Sequence, residues 1–176
     1  MLRHGLTWMK LGCGADMIEF QVNGKAVQSA AGATTPLLDV LRNELDLKGS
    51  RYGCGLEQCG ACMVLVDGAI AYACTRDVGS VAGRGITTAD GLADHPIYAA
   101  LLAEQAGQCG YCLSGIMIAA KALLDANPRP SRTEIAAALD GNLCRCGTHT
   151  RILKAVERAA VVLREARASG ATRGEG

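Results

Sequence analysis

No stretch of this sequence approaches the apolar length, about 20 residues, that a bilayer-spanning helix needs, so it offers no spanning segment. There is no run of Lys or Arg. A formal net charge of +1 leaves no electrostatic footprint for nucleic acid. No glycine-rich turn sits between a strand and a helix, as the phosphates of a dinucleotide would require. No internal repeat is visible. Aromatic residues are scarce, at one Phe, one Trp and four Tyr, and histidine occurs three times. Residues 1–13 show little charge asymmetry, no long apolar region and no twin arginine, so they do not read as a signal peptide. Leu11-Gly12-Cys13 faintly resembles a lipoprotein cleavage site, but Lys10 breaks the apolar run before it. Residues 1–16 are expected to form a poorly ordered extension.

What the chain has in abundance is cysteine, nine in 176 residues. A secreted disulfide scaffold is the first explanation to test. Nine is odd, however, and eight of the nine sort into two sets with metal-ligand spacing, leaving only Cys13 over. That arithmetic favours metal clusters in a reducing compartment, and hence a cytoplasmic location.

The first set is the more specific. Cys54, Cys59 and Cys62 stand at C-x4-C-x2-C spacing, with Cys74 following after eleven intervening residues. Three thiolates on one short loop and a fourth at a distance is the plant-type [2Fe–2S] pattern. Gly53, Gly55 and Gly60 let the loop backbone come close to a bulky ligand. Met63–Val66 reads as a strand, Asp67-Gly68 as a two-residue turn and 69–73 as the return strand. With Val66 facing Ala69, Cys74 falls opposite Ala61, beside Cys62. Zinc with four cysteines is the competing reading, although structural zinc sites usually use two short pairs.

The second set is Cys109 and Cys112, at C-x2-C, with Cys144 and Cys146, at C-x-C. Each pair precedes a strongly helical stretch. Helix N-termini offer unpaired N–H groups and a positive dipole end to an anionic thiolate cluster. Two antiparallel helices offset along their axes, or two converging at their N-termini, would present four thiolates to one group. Zinc competes more strongly here. A Rieske centre would need two His ligands, and His4, His95 and His149 show no such arrangement.

The surrounding elements form an α+β chain. Met17–Val22, Asn23-Gly24 and 25–29 read as a hairpin. Thr35 and Pro36 read as N-cap and first residue of a helix with Leu37, Leu38, Leu41 and Leu45 inward. Ile86–Thr88 is a last short strand. Four helices follow, at 96–107, 113–126, after the capping box Ser131-x-x-Glu134, and at 150–168. The expected division is a ferredoxin-like domain over 17–90, a helical domain over 91–168 and a flexible tail over 169–176.

Together, Gly53-Cys-Gly-x3-Cys-Gly-Ala-Cys62, Gln108-Cys-Gly-Tyr-Cys112 and Asn142-Leu-Cys-Arg-Cys146 resemble the small iron–sulfur subunit of the molybdenum hydroxylases. The resemblance covers about residues 17–166. It implies a β-grasp ferredoxin-like domain followed by a four-helix [2Fe–2S]-binding domain. It implies two [2Fe–2S] clusters here, and molybdopterin cytosine dinucleotide on a large partner subunit that oxidises an N-heteroaromatic compound or an aldehyde. The helical cluster would lie nearest that cofactor, with Gln108 and Cys146 approaching the pterin. Some family members have Thr-Pro-Gly where this chain has Leu113-Ser-Gly115. Some have Thr-Gly-Tyr where it has Gly147-Thr-His149, and a glycine where it has Glu57. These variants look more like the branch with isoquinoline oxidoreductase, nicotinate dehydrogenase and membrane-associated aldehyde dehydrogenases. The acceptor implied is then a c-type cytochrome or an FAD subunit, with any membrane association made through a partner. No residue of this chain needs to act as acid, base or nucleophile. The competing functions are a zinc-stabilised interaction module and a stand-alone ferredoxin or redox sensor.

Overall fold

The computed structural model describes residues 17–171; what the sequence suggests for residues 1–16, Cys13 included, and for 172–176 lies outside them. β1 (Ile18–Val22) and β2 (Lys25–Ser29) form an antiparallel hairpin. Its turn residues Asn23 and Gly24 have φ of 51° and 78°. Such a left-handed pair matches the right-handed twist of the strands it joins. Asn23 also ties the hairpin to the chain after β5. Its Oδ1 accepts from the Thr88 N–H, and its Nδ2 donates to Thr88 Oγ1, each at 2.9 Å.

β3 (Met63–Val66) and β4 (Ala69–Tyr72) form the second hairpin, with Val66 opposite Ala69 as expected. β5 (Gly85–Thr87) sits one residue earlier than the sequence suggested and completes a sheet of order β2-β1-β5-β3-β4. β1 and β5 are parallel and the other neighbours antiparallel.

The expected single helix after β2 is instead a short α1 (Leu37–Asp39) that runs into a π turn, Val40–Glu44. Pro36 is its N-cap, and Thr35 makes no side-chain cap bond. A π turn inserts one extra residue per turn. The Leu45 N–H therefore reaches Val40 O, at 3.1 Å. Val40 joins Leu37, Leu38 and Leu41 in the core, none of them more than 1% exposed.

α2 (Pro96–Ala103) ends before the Gly107 expected. Gln105 takes φ of 49°, its N–H bonds Leu102 O at 3.0 Å, and the Ala106 N–H bonds Leu101 O at 2.9 Å. This double bond around one left-handed residue is a Schellman stop. Burial of Ala106 against Leu101 drives it without a glycine. α3 (Leu113–Ala126) has the expected bounds. α4 (Arg132–Ala138) starts at the expected capping box, with Ser131 Oγ accepting from the Glu134 N–H and Glu134 Oε2 accepting from the Ser131 N–H. α5 (His149–Ala171) runs three residues past the expected end. No helix among the described residues is long and apolar enough to cross a membrane.

Two hydrophobic clusters meet at β3. Val64 and Val66 pack with Phe20, Leu38, Leu41 and Ile86 on one face. Met63 and Leu65 pack with Ile97, Ile116, Leu124 and Ile152 on the other. Strands alternate their side chains between two faces, so β3 is a member of both cores and all four of its residues are buried.

Removing the capping hydroxyl with Ser131→Ala should destabilise the iron-loaded protein by about 1 kcal/mol in urea unfolding. Thr35→Ala, which loses no cap, should stay within about 0.5 kcal/mol. Equal losses would mean that Thr35 does cap.

Candidate metal centres

The chain from Arg51 to Ala61 is an irregular loop leading into β3. Gly55, Glu57 and Gly60 have φ of 69°, 60° and 74°. Left-handed residues set among ordinary ones turn successive N–H groups toward a common concave side, a form suited to an anion. The N–H groups of Leu56 and Gln58 lie 3.3 and 3.2 Å from Cys54 Sγ, and the Cys54 N–H lies 3.4 Å from Cys59 Sγ. The Leu56 donor, then the Gln58 donor, bring the Cys54 thiol down from its usual value to about 7. Cys62, by contrast, is 1% exposed, and burial pushes it up to about 12.

Cys74 arrives by the expected register. The Ala73 N–H bonds Cys62 O at 3.2 Å, so the next residue lies beside the loop. The Cys62 and Cys74 thiols are within hydrogen-bonding reach, and so are Cys54 and Cys59. Cys59 also adds, as the smallest contribution, to the rise of the Cys62 thiol.

The second set gathers where two helices begin. Cys112 is the N-cap of α3, and Cys144 and Cys146 precede α5. The N-cap of α3 and the segment that precedes α5 share one cavity of about 190 Å³, which Cys109, Cys112, Cys144 and Cys146 all line. Cys146 Sγ stands 3.5 Å from Cys109 Sγ, and Cys112 faces Cys144. The Tyr111 N–H, then Cys146, hold the Cys109 thiol below its usual value. Burial, then the neighbouring Cys144, pushes Cys112 up to about 12.

All eight described cysteines are free thiols. Among the described residues no three or more His, Cys, Asp or Glu side chains are arranged to hold a single metal ion. The thiols stand as two facing pairs in each set. Paired thiolates, two to each iron, with backbone N–H groups turned on the sulfur, fit a [2Fe–2S] group.

The other candidates fall elsewhere. Gln108 is exposed and lines a groove of about 570 Å³ beside α2 and the start of α3, with Arg51, Asp90, Tyr98 and Leu102. His95 caps α2, its Nδ1 accepting from the Ile97 N–H at 3.2 Å. His149 is exposed at the first residue of α5.

The sequence did not reveal how the two loops touch. The Leu143 N–H bonds Cys59 O at 3.0 Å. Ser114 Oγ donates to Ala61 O at 3.0 Å, and Arg51 Nη1 to Gly110 O at 2.7 Å. The Tyr111 hydroxyl donates to Tyr52 O. Cys59 of the first set lines the cavity of the second. The buried Asn142 donates to Met63 Sδ at 3.3 Å, and its Oδ1 has no protein partner. A methyl at Gly115 would collide with Gly60 O. The one local signal was Ser114-Gly115 just ahead of the apolar run 116–120 of the same helix.

Known proteins are similar to this chain over most of its length. Residues 20–85 match the family model described as "2Fe-2S iron-sulfur cluster binding domain", and residues 84–157 that described as "[2Fe-2S] binding domain". The chain is 52% identical to a nicotinate dehydrogenase subunit from Pseudomonas putida, over 84% of this chain and 97% of that one. It is 47% identical to the isoquinoline 1-oxidoreductase alpha subunit of Brevundimonas diminuta, over 82% and 97%. Among solved structures, the aldehyde oxidoreductase of Desulfovibrio desulfuricans superposes with a TM-score of 0.81 at 38% identity, over 85% of this chain. This chain spans 17% of that much longer one. Quinoline 2-oxidoreductase of Pseudomonas putida gives a TM-score of 0.79 at 33% identity, over 91% of this chain and 98% of that chain.

Gly115→Ala should destabilise the protein by about 1–3 kcal/mol or more through overpacking, since the contact is with backbone. The check is thermal unfolding of the iron-loaded chain. An unchanged midpoint would mean that the loops are not in contact there.

Proposed function

The chain belongs to the family of small iron–sulfur subunits of the molybdenum hydroxylases, and from that we propose that it relays electrons from a large molybdopterin-binding partner to an external acceptor. When bound, a [2Fe–2S] cluster takes up and returns one electron at a time, so two in series divide a two-electron oxidation into single steps. The residues proposed to hold the first are Cys54, Cys59, Cys62 and Cys74, and those for the second Cys109, Cys112, Cys144 and Cys146. The thiol contacts favour Cys54 with Cys59, Cys62 with Cys74, Cys109 with Cys146 and Cys112 with Cys144 as the pairs sharing an iron.

The observation that carries the reading is the Leu143–Cys59 hydrogen bond. Cys59 is in one set, and Leu143 precedes Cys144 of the other. One bond therefore separates the main chains that carry the two sets. A zinc module would need no such continuity, and a stand-alone ferredoxin would need no second set. The helical set is assigned the position next to the partner's molybdenum site, and Gln108 and Cys146 the approach to the pterin. The substrate class proposed is an N-heteroaromatic compound, as the names of the nicotinate and isoquinoline relatives favour, with an aldehyde as the second choice. The acceptor is a c-type cytochrome or an FAD subunit, the complex works in the cytoplasm, and any membrane contact belongs to a partner. The domains are assigned as 17–90 and 91–168, a reading that the two cores support, with β3 shared between them.

The purified protein should carry about four irons per chain, from two clusters of two, and reduction should give two distinct EPR signals. A colourless zinc protein, or one signal with half the iron, would sink the reading. Gln108→Ala should keep both signals but slow their appearance after substrate is added, or lower the molybdenum content of the complex. An interfacial amide that loses its partner forfeits roughly 1–3 kcal/mol. Wild-type stopped-flow reduction with full molybdenum would make Gln108 a plain surface amide, worth within about 0.5 kcal/mol.

A further inference from the structure

Glu57 is the residue of the first loop whose conformation asks for an explanation. It lies between Leu56 and Gln58, the two residues whose N–H groups meet Cys54 Sγ. For both to reach one sulfur, the chain must turn through a left-handed residue between them, and Glu57 has φ of 60°. A side chain with a Cβ is unfavourable there, and glycine is the residue that adopts this region freely. Yet Glu57 Oε1 accepts a hydrogen bond from Thr75 Oγ1. Thr75 follows Cys74, the distant fourth member of the set. The bond therefore spans the loop, from the turn that wraps Cys54 to the strand end that delivers Cys74.

We propose that the Glu57–Thr75 pair is a clamp that holds the Leu56 and Gln58 N–H groups on Cys54 and so sets the reduction potential of the first cluster. Glu57 is a positioning residue, acting on the sulfur through the backbone on either side of it. Its carboxylate is selected for a second reason. It is a hydrogen-bond acceptor matched to a hydroxyl donor, which fixes a left-handed turn that glycine would leave loose. Hydrogen bonds to a ligand sulfur stabilise the more negative, reduced cluster, so a held clamp means a higher potential. The carboxylate's own charge works in the opposite sense. The two contributions are separable, because Thr75→Val removes the clamp and keeps the charge, while Glu57→Gln keeps an acceptor for the Thr75 hydroxyl and removes the charge.

This inference rests on Cys54, Cys59, Cys62 and Cys74 holding the first cluster. The test is EPR-monitored redox titration of the full, iron-loaded chain in its complex. The second cluster serves as an internal reference. In Thr75→Val the first cluster's potential should fall relative to the second's, and its signal should broaden. Thr75→Ser, which keeps the hydroxyl, should restore both. Glu57→Gln should leave the potential at or above the wild-type value. If Thr75→Val fails to load the first cluster, iron should drop to half while Thr75→Ser retains it all, which supports the clamp equally. A wild-type potential in fully loaded Thr75→Val overturns the proposal, as does a Thr75→Ser chain that behaves like Thr75→Val. Absence of a first-cluster signal in the unmutated chain would instead overturn the ligand assignment, so the two failures are distinct.

Discussion

The contact between the two cysteine loops is the constraint on which the rest of the structure depends. Gly60 O sits where a Gly115 side chain would be, and Asn142 fills the space beside both glycines. Backbone approaches this closely only where no Cβ intervenes. The first turn of α3 is thereby laid on the loop that carries Cys59 and Cys62. Ser114 then donates to Ala61 O, which also accepts from the Arg51 N–H, so the two donors share one carbonyl at the seam. The same approach brings Leu143 to Cys59. Two thiol sets from segments remote in sequence become neighbours through glycine contact, a few backbone bonds and the Arg51 guanidinium, which donates across the seam to Gly110 O.

Such a seam needs rigid supports on both sides, and β3 supplies them. Its hydrogen bonds hold it between β4 and β5. Its two faces are each buried in a different core. A shift of α3 relative to the sheet would have to drag Met63 and Leu65 out of the helical core. The thiols that flank β3 inherit this rigidity, because Cys62 immediately precedes the strand and the β4 return delivers Cys74. Position is what a one-electron relay requires of its protein, since the chemistry belongs to the cofactor.

The parts legible in the sequence are those written in a few adjacent residues. Asn23-Gly24 and Asp67-Gly68 specify their hairpins because so few residues accept the turn's dihedrals. Ser131 and Glu134 specify a helix start because they satisfy each other's backbone. The register from Val66 and Ala69 carried the inference to Cys74, where the structure places it beside Cys62. What was not legible is decided at a distance. The π turn after α1 follows from the need to bury Val40, and the end of α2 follows from burial of Ala106 against Leu101. Thr35 has the composition of a cap without the role, because Pro36 already sits in the extended conformation of that position. The Met63-Val-Leu-Val66 run did hold a hint. A strand with no polar residue is one that is buried on both sides, and reading it so would have placed α3 across the sheet.

The cysteines divide the same way. Spacing assigned them to two sets, because a short loop restricts which sulfurs can meet. It did not say which thiol faces which within a set, since that depends on how the segments before α3 and α5 meet and how the loop curls. The curl itself departs from the simplest solution. Three left-handed positions shape the first loop; two are glycine, as the chemistry of φ favours, and the third is Glu57. A left-handed residue with a side chain is tolerated only where surrounding contacts over-determine it. Here the over-determining contact is a hydroxyl attached to the neighbour of a cysteine in the same set. The strain and its restraint therefore belong to one closed circuit: Cys54, Glu57, Thr75, Cys74 and back through Cys62. A loop closed in that way holds its sulfurs by its own bonding as well as by any group they bind, so its geometry is set from within.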